Sequence, residues 1–182
     1  MDNFEKTIAK NYVYDGRIIK VRNDEIELPN KKRCFREVVE HSGGAAVIAL
    51  DNEGYCYLVS QFRYPLSKEV LEIPAGKLEA GEPPGECALR ELKEEAGLFA
   101  KSLIPLCTMH PTPGYSDEII HIFLAREFEV GNQALDEDEF LSLVKMPLSD
   151  AKKMVIDGVI ADAKTVAAIL LADEITKQKP QE

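Results

Sequence analysis

The chain has 182 residues, with 22 Lys and Arg against 32 Asp and Glu, so its formal net charge is −10. Hydrophobic residues make up 45% and charged residues 30%, which is typical of a folded globular protein and excludes overall disorder. The acidic balance disfavours sequence-independent nucleic-acid binding, because phosphate groups are repelled by a negative surface. Apolar runs are far shorter than the roughly 20 residues that span a bilayer, so we expect no membrane partner.

The cysteines and the N-terminus bear on the compartment. Four cysteines are spread along the chain without a CxxC pair, which favours reduced thiols and argues against structural zinc. The first residues lack the basic stretch and apolar run of a signal peptide. We therefore expect a cytoplasmic protein.

The first forty residues have the pattern of short strands and turns. Asp15-Gly16 lies between the runs Tyr12–Tyr14 and Arg17–Val21 and suits a type I′ hairpin turn. A second pair of strands is predicted at 25–28 and 34–39.

These strands carry few large apolar residues, so the sheet they form is expected to be thin. Such a sheet needs support from the main domain or from a second copy of the chain. The sequence thus predicts a small N-terminal β-subdomain over residues 1–42.

Residues 43–178 are predicted to form the main domain, because the composition becomes more apolar after residue 42 and the sequence then has the patterns of both strands and helices. The continuous apolar run at 45–50 indicates a strand buried on both faces. Further strands are predicted at 55–62, 70–73, 119–125 and 140–144, and helices at 84–96, 149–156 and 162–177.

The helix predicted at 84–96 has an unusual distribution of acids. At about 100° per residue, Glu91, Glu94 and Glu95 fall within one sector, along the margin of the apolar stripe. These carboxylates repel one another and lie in the last turns, where the helix dipole disfavours anions. Two interpretations remain at this point: a solvated acidic face, or a site for a divalent cation.

The residues around this helix fit a longer pattern. Gly76, Glu82, Arg90-Glu91-Leu92, Glu94-Glu95 and Gly97-Leu98 fill every fixed position of GX5EX7REUXEEXGU, where U is a bulky aliphatic residue. At average residue usage, a chance match is below about one in a million. This is the Nudix box, and the chain resembles the Nudix hydrolase family.

The resemblance implies a fold and a metal site. The fold is the Nudix α/β/α sandwich with a mixed sheet, and the box holds Mg²⁺ or Mn²⁺ against a pyrophosphate. By matching position, Glu91 and Glu95 are the principal metal ligands, the carbonyl of Ala75 completes the site, and Glu94 is a ligand or a base. Arg90 is expected to orient the glutamates.

Three flanking segments resemble the ADP-ribose pyrophosphatase subgroup. They are Gln61–Pro65, Glu72–Gly76 and Pro111–Glu118, in which Pro113 lies fifteen residues after Leu98. The resemblance implies hydrolysis of ADP-ribose to AMP and ribose 5-phosphate by a homodimer. In that subgroup the N-terminal strands are exchanged between subunits, which fits the thin sheet predicted here.

Four residues are candidates for the substrate site. Arg36 and Arg63 could bind the pyrophosphate or the terminal ribose, because guanidinium groups bind phosphate oxygens bidentately, although a structural ion pair is an open alternative for each. Glu72 and Glu118 are candidates by their places in the matching segments.

The acidic run at 135–140 is the predicted source of the general base. We assign Glu137 as the base and Glu139 as a further metal contact, because the subgroup carries a catalytic glutamate in the corresponding loop. A solvated loop is the alternative, and the register is open by one or two residues.

Other functions remain open. The substrate could be another nucleoside diphosphate sugar, GDP-mannose foremost, or a dinucleoside polyphosphate. A non-catalytic Nudix-fold nucleotide sensor is a second alternative, although it has no need for a charge-strained metal site. An interaction protein that uses its acidic surface leaves the complete box unexplained.

Overall fold

The computed structural model describes residues 3–137 and 139–177, and the contacts between them divide into two units. The first unit contains the described residues up to Gly43 together with His110–Ile119. The second contains Gly44–Met109 and the described residues from Ile120 onward.

The first unit is built on a four-stranded antiparallel sheet. The longest pairing joins the third and fourth strands, while the first two strands share the other edge of the third. The strands are β1 (Lys6–Ala9), β2 (Tyr12–Asp15), β3 (Ile19–Glu27) and β4 (Arg33–His41).

The sheet differs in two respects from the prediction. The hairpin across Asp15-Gly16 is present, but residues 19–27 form one strand rather than the ends of two. Arg22 Nη1 donates to Asp24 Oδ2 over 2.6 Å, and such an i,i+2 pair on one face is compatible with an uninterrupted strand. The strand β1 was not predicted.

The segment His110–Ile119 is fastened to β4 by backbone hydrogen bonds. The Val39 N–H donates to the carbonyl of Tyr115 (2.7 Å), and the Asp117 N–H donates to the carbonyl of Val39 (3.2 Å). The His41 N–H donates to the Asp117 carboxylate at 2.9 Å. These bonds account for its grouping with the N-terminal strands.

The second unit contains a seven-stranded mixed sheet. The strands are β5 (Gly44–Leu50), β6 (Tyr55–Arg63), β7 (Lys68–Glu72), β8 (Ala75–Lys77), β10 (Ile104–Met109), β11 (Ile120–Ala125) and β13 (Leu141–Pro147), while β9 (Leu98–Ala100) and β12 (Phe128–Val130) pair separately. Five strands follow the order β10-β11-β5-β6-β13, with β7 paired to β6 and β8 paired to β5; β5 and β11 are parallel.

Helices cover both faces of this sheet. They are α1 (Pro84–Ala96), α2 (Leu148–Ile156) and α3 (Ala163–Lys177). Every residue of β5 is buried, and its side chains alternate between two cores. Ala45, Val47 and Ala49 pack with α1, whereas Ala46, Ile48 and Leu50 pack with α2 and α3. The predicted α/β/α sandwich with a mixed sheet is therefore confirmed.

The helix that carries the acidic sector has the predicted bounds. Pro84 occupies its first turn, where a proline loses no helical hydrogen bond. Gly97 ends it with φ of +64°, in the left-handed region that favours glycine. Among residues 3–137 and 139–177, none of the helices is long and apolar enough to cross a bilayer.

Candidate active site

The candidate site lies where α1 packs under the β7–β8 segment. Glu95, in the last turn of α1, is only 4% exposed. Its Oε2 accepts a hydrogen bond from the Ala75 N–H at 2.9 Å. Burial, together with the nearby Glu91 and Glu139 carboxylates, raises the pKa of Glu95 to about 8 against the effect of this bond.

One helical turn earlier, Glu91 is also buried. Its carboxylate lies directly against Gly76, where a Cβ would overlap the carboxylate atoms. Burial raises the pKa of Glu91, and the adjacent Arg90 guanidinium offsets part of that rise. A side chain at position 76 would therefore displace the Glu91 carboxylate, which accounts for the glycine at this position of the box.

Arg90 connects the acids of the box. It binds Glu82 through Nε (2.9 Å) and Nη2 (3.2 Å), and its Nη1 donates to Glu91 (2.7 Å) and to Glu94 (3.1 Å). Hydrogen bonds from Arg90 and from the Glu79 N–H lower the pKa of Glu82 to about 2. Arg90 therefore holds three glutamates, and Glu95 is the box acid that it does not contact.

The donor set suits a hard divalent cation such as Mg²⁺ or Mn²⁺. The Glu95 carboxylate is buried and, among the described residues, has no cationic hydrogen-bond partner. Its neighbours Glu91 and Glu139 are also acids, and carboxylate oxygens are the ligands that such cations prefer. Across the described ranges 3–137 and 139–177, no three acidic, His or Cys side chains form a ready-made metal cluster. The side chains point to other partners, because Glu91 binds Arg90 and Glu95 accepts from the Ala75 N–H.

The loop after β12 is attached to the C-terminal end of α1. The Gly131 N–H donates to the Gly97 carbonyl (2.7 Å), and the Ala134 N–H donates to the Glu94 carbonyl (2.9 Å). The Gln133 side-chain amide donates to the Glu95 carbonyl (2.5 Å). These bonds fix the start of the loop on the helix that carries the box acids.

The same loop contains the two predicted acids. Glu139 is half-buried and lies near enough to Glu91 and Glu95 to raise the pKa of both. The Glu139 N–H donates to the Asp136 carbonyl (3.0 Å), which forms a turn that includes the exposed Glu137. Asp138, in the same acidic run, lies outside the described residues.

Glu72 and Arg63 form a second polar cluster, at the end of β7. Arg63 donates to both Glu72 oxygens, through Nε (2.6 Å) and Nη2 (2.7 Å). Lys164 Nζ also donates to Glu72 Oε2. Burial would raise the pKa of Glu72, but Arg63 and Lys164 together lower it.

Lys164 is held in turn by the first turn of α3. Its Nζ contacts Asp162 Oδ2 (3.0 Å), which also accepts from the Thr165 N–H (3.0 Å) and hydroxyl (2.6 Å) as a helix N-cap. The Thr165 hydroxyl accepts from the Ile73 N–H (2.9 Å). Neither Lys164 nor Gln133 was predicted from the sequence; a lysine among the apolar residues of α3 was the available signal for Lys164.

The other two predicted substrate residues lie in the first unit. Arg36 pairs with both oxygens of Glu5, at 2.6 and 3.0 Å, and 44% of its side chain is exposed. Glu118 Oε1 lies 3.4 Å from His41 Nδ1.

The sequence matches two family models. Residues 40–169 match the NUDIX domain, and residues 5–39 match the nucleoside diphosphate sugar hydrolase N-terminal domain. The two matches together cover most of the chain.

Relatives and a solved structure resemble the chain over nearly its whole length. The ADP-ribose pyrophosphatase of Bacillus subtilis is 47% identical over 91% of this chain and 90% of its own. The methanol dehydrogenase activator of Bacillus methanolicus is 43% identical over 96% of this chain and 97% of its own. A crystal structure of an ADP compounds hydrolase aligns with a TM-score of 0.83 and 25% identity, covering 95% of this chain and 94% of that one.

Proposed function

The chain belongs to the Nudix hydrolase family, and from this premise we propose that it hydrolyses ADP-ribose to AMP and ribose 5-phosphate. The family resemblance noted in the sequence is thereby confirmed, including the Nudix fold. Nudix hydrolases generally require a divalent cation. The choice of ADP-ribose is supported by the name of the Bacillus subtilis relative and by the three flanking segments.

The observation that carries the proposal is the pair of buried box acids, Glu91 and Glu95. Burying carboxylates costs stability, and the Arg90 guanidinium offsets that cost only at Glu91, so a structure that also retains the buried Glu95 has a reason beyond folding. We propose that Glu91, Glu95, Glu139 and the Ala75 carbonyl hold Mg²⁺ or Mn²⁺, with Glu94 at the margin. A bound divalent cation would neutralise the diphosphate and lower the pKa of a coordinated water.

The chain's own residues have separate tasks in this scheme. Arg90 holds Glu91 and Glu94 in place by its contacts with both and with Glu82. Arg63 is proposed to bind the diphosphate, because 41% of its side chain is exposed and it lies close enough to Glu95 for electrostatic interaction. Arg36 and Glu118 are proposed to contact the remainder of the substrate.

Proton abstraction is assigned to the loop after β12. We propose Glu137 as the base that accepts a proton from the attacking water, since its carboxylate is exposed and lies in the turn that brings Glu139 to the box. Replacement of each by Gln separates the two roles. Glu137→Gln is expected to lower kcat about a hundredfold with little change in metal affinity, whereas Glu139→Gln weakens metal binding.

The first unit supports a proposed homodimer. Of the buried hydrophobic residues in the described chain, only Ile26 belongs to this unit. Large apolar side chains are instead exposed on its strands and on the β2–β3 turn, namely Ile8, Tyr12, Val13, Tyr14, Ile18 and Phe35. Such a surface favours burial against a second copy, and exchange of the N-terminal strands is one way to achieve it. Sedimentation velocity would test the dimer.

A cytoplasmic location is part of the proposal. All four cysteines are free, and burial raises the pKa of Cys56 and Cys87 to about 12, so neither thiol is activated for exchange. Free thiols suit a reducing compartment.

Product analysis tests the proposed reaction. Purified protein is incubated with Mg²⁺ and ADP-ribose, GDP-mannose, ADP-glucose or diadenosine polyphosphates, with EDTA controls, and products are separated by chromatography. The proposal predicts fastest release of AMP from ADP-ribose, abolished by EDTA. A much faster reaction with another compound would reassign the substrate within the class. Tight binding of one compound without cleavage would favour the sensor alternative.

A further inference from the structure

Arg63 reaches Glu72 only by extending along the sheet. In the pairing of β6 with β7, Arg63 lies opposite Lys68, whereas Glu72 lies opposite Val59. The guanidinium therefore binds the side chain of a residue four positions along β7 from the backbone partner of Arg63. Because 41% of the side chain is exposed, this conformation competes with many solvated rotamers, and fixing it costs conformational entropy.

The contact that fixes Arg63 is itself held by Lys164. Glu72 is 3% exposed and receives Arg63 on both oxygens, while Lys164 donates to its Oε2. Lys164 is anchored in turn to Asp162 in the N-cap of α3 (3.0 Å). With Lys164 in place, the cluster balances two cations against two carboxylates; without it, a buried negative charge is left in excess.

The cluster is continuous with the box. Thr165, next to Lys164, accepts a hydrogen bond from the Ile73 N–H (2.9 Å), and two residues later the Ala75 N–H binds Glu95 (2.9 Å). Arg63 in its turn lies within electrostatic range of Glu95. Among residues 3–137 and 139–177, Arg63 Nη1 makes no hydrogen bond, so one donor edge of the guanidinium remains for a ligand.

We propose that Lys164 is a positioning residue, which acts through Glu72 to hold the Arg63 guanidinium beside the box for the substrate diphosphate. This inference rests on the proposed function, in which Arg63 binds the diphosphate. Lys164 itself touches no reacting atom in this account. Its effect on catalysis must therefore pass through Arg63, and that dependence can be measured.

A double-mutant cycle tests the dependence. The rate constant kcat and KM for ADP-ribose with Mg²⁺ are measured for the wild type, Lys164→Met, Arg63→Ala and the double variant. The account predicts that Lys164→Met lowers kcat/KM about tenfold in the wild-type background but less than about twofold when Arg63 is already absent. Equal losses in both backgrounds would overturn the proposal, because Lys164 would then act independently of Arg63.

Lys152 supplies a matched control. It lies in α2 and forms an equally direct lysine–carboxylate pair with Asp173 of α3, at 2.6 Å, but has no contact with Glu72. Lys152→Met removes a cation from the same helical layer. We expect it to change kcat/KM less than about twofold in either background. If it reproduces the effect of Lys164→Met, general loosening of the helices explains the result and the proposal fails.

A second measurement does not depend on turnover. In ¹⁵N-arginine-labelled protein, the Arg63 Nε–H signal is assigned by its loss in Arg63→Lys, and its hydrogen exchange is measured. We expect exchange to be about tenfold faster in Lys164→Met than in the wild type and in Lys152→Met. Unchanged exchange would overturn the proposal, whatever the kinetics show.

The two measurements separate failure of this inference from failure of the proposed function. If the wild type hydrolyses none of the nucleotides, the proposed function falls, and the exchange rate alone decides the role of Lys164. If Lys164→Met does not fold, Lys164→Gln, which retains an N–H donor but no charge, takes its place in both experiments.

Discussion

Glu72 at the end of β7 and Glu95 in the last turn of α1, which accepts from the Ala75 N–H, are buried to nearly the same degree. Glu72 is 3% exposed and Glu95 is 4% exposed. Glu72 lies between two cations, Arg63 and Lys164, which lower its pKa although burial acts in the other direction. Glu95 has a backbone N–H as its hydrogen-bond partner, and burial with two nearby carboxylates raises its pKa to about 8.

The difference shows that burial alone does not define a functional carboxylate. At Glu72 the protein itself provides the counter-charge, so the cluster needs no cation from solution. At Glu95 the counter-charge must be a proton or a cation from solution. The arrangement at Glu72 serves structure and positioning, whereas the arrangement at Glu95 serves cation binding.

The largest effect that this comparison predicts is on catalysis. Glu95→Gln removes the charge but little volume, and its amide oxygen can still accept from the Ala75 N–H. We expect kcat to fall about a thousandfold with an unchanged circular dichroism spectrum. The matched control is Glu86→Gln, on the exposed part of α1, which should retain normal activity. Normal activity in folded Glu95→Gln would refute the metal site.

A smaller effect, on the free energy of unfolding, is predicted for substitution of Glu72. Glu72→Gln leaves Arg63 and Lys164 without their common anion, so we expect the free energy of unfolding to decrease by about 3 kcal/mol. Urea unfolding in EDTA measures it. Glu95→Gln under the same conditions should be neutral or stabilising, because it removes an uncompensated acid. Equal destabilisation by both substitutions would contradict the comparison.

The smallest effect concerns pH. The pKa of Glu95 is about 8 in the metal-free protein, above its ordinary value of 4.5, so the folded state binds more protons than the unfolded state between these values. Stability should therefore fall as pH rises through this window. Between pH 6 and pH 7 in EDTA, we expect the wild type to lose about 1 kcal/mol relative to Glu95→Gln. Parallel pH profiles for the two proteins would exclude this titration.

The sequence predicted those features whose causes are local. The bounds of α1 follow from Pro84 and Gly97, and the buried strand β5 follows from its unbroken apolar run. The gathering of Glu91, Glu94 and Glu95 on one sector follows from helical periodicity. The placement of helices on both faces of the sheet was predicted through the family resemblance.

Features that depend on distant residues were not predicted. Lys164 meets Glu72 across a separation of 92 residues, and no local pattern reports such a contact. The attachment of the acidic loop to α1 depends on the side chain of Gln133, which lies in no motif. β1 is only four residues long and pairs with the far end of β3, so its sequence carries little strand signal.

Metal binding in the absence of substrate shows whether the buried Glu95 carboxylate binds a cation. Metal-free protein is titrated with Mn²⁺ at pH 7 in a calorimeter, in two buffers of different ionisation enthalpy. We expect release of about one proton as Mn²⁺ binds the wild type, and at least tenfold weaker binding without proton release in Glu95→Gln. Equal affinity and equal proton release in the two proteins would contradict it.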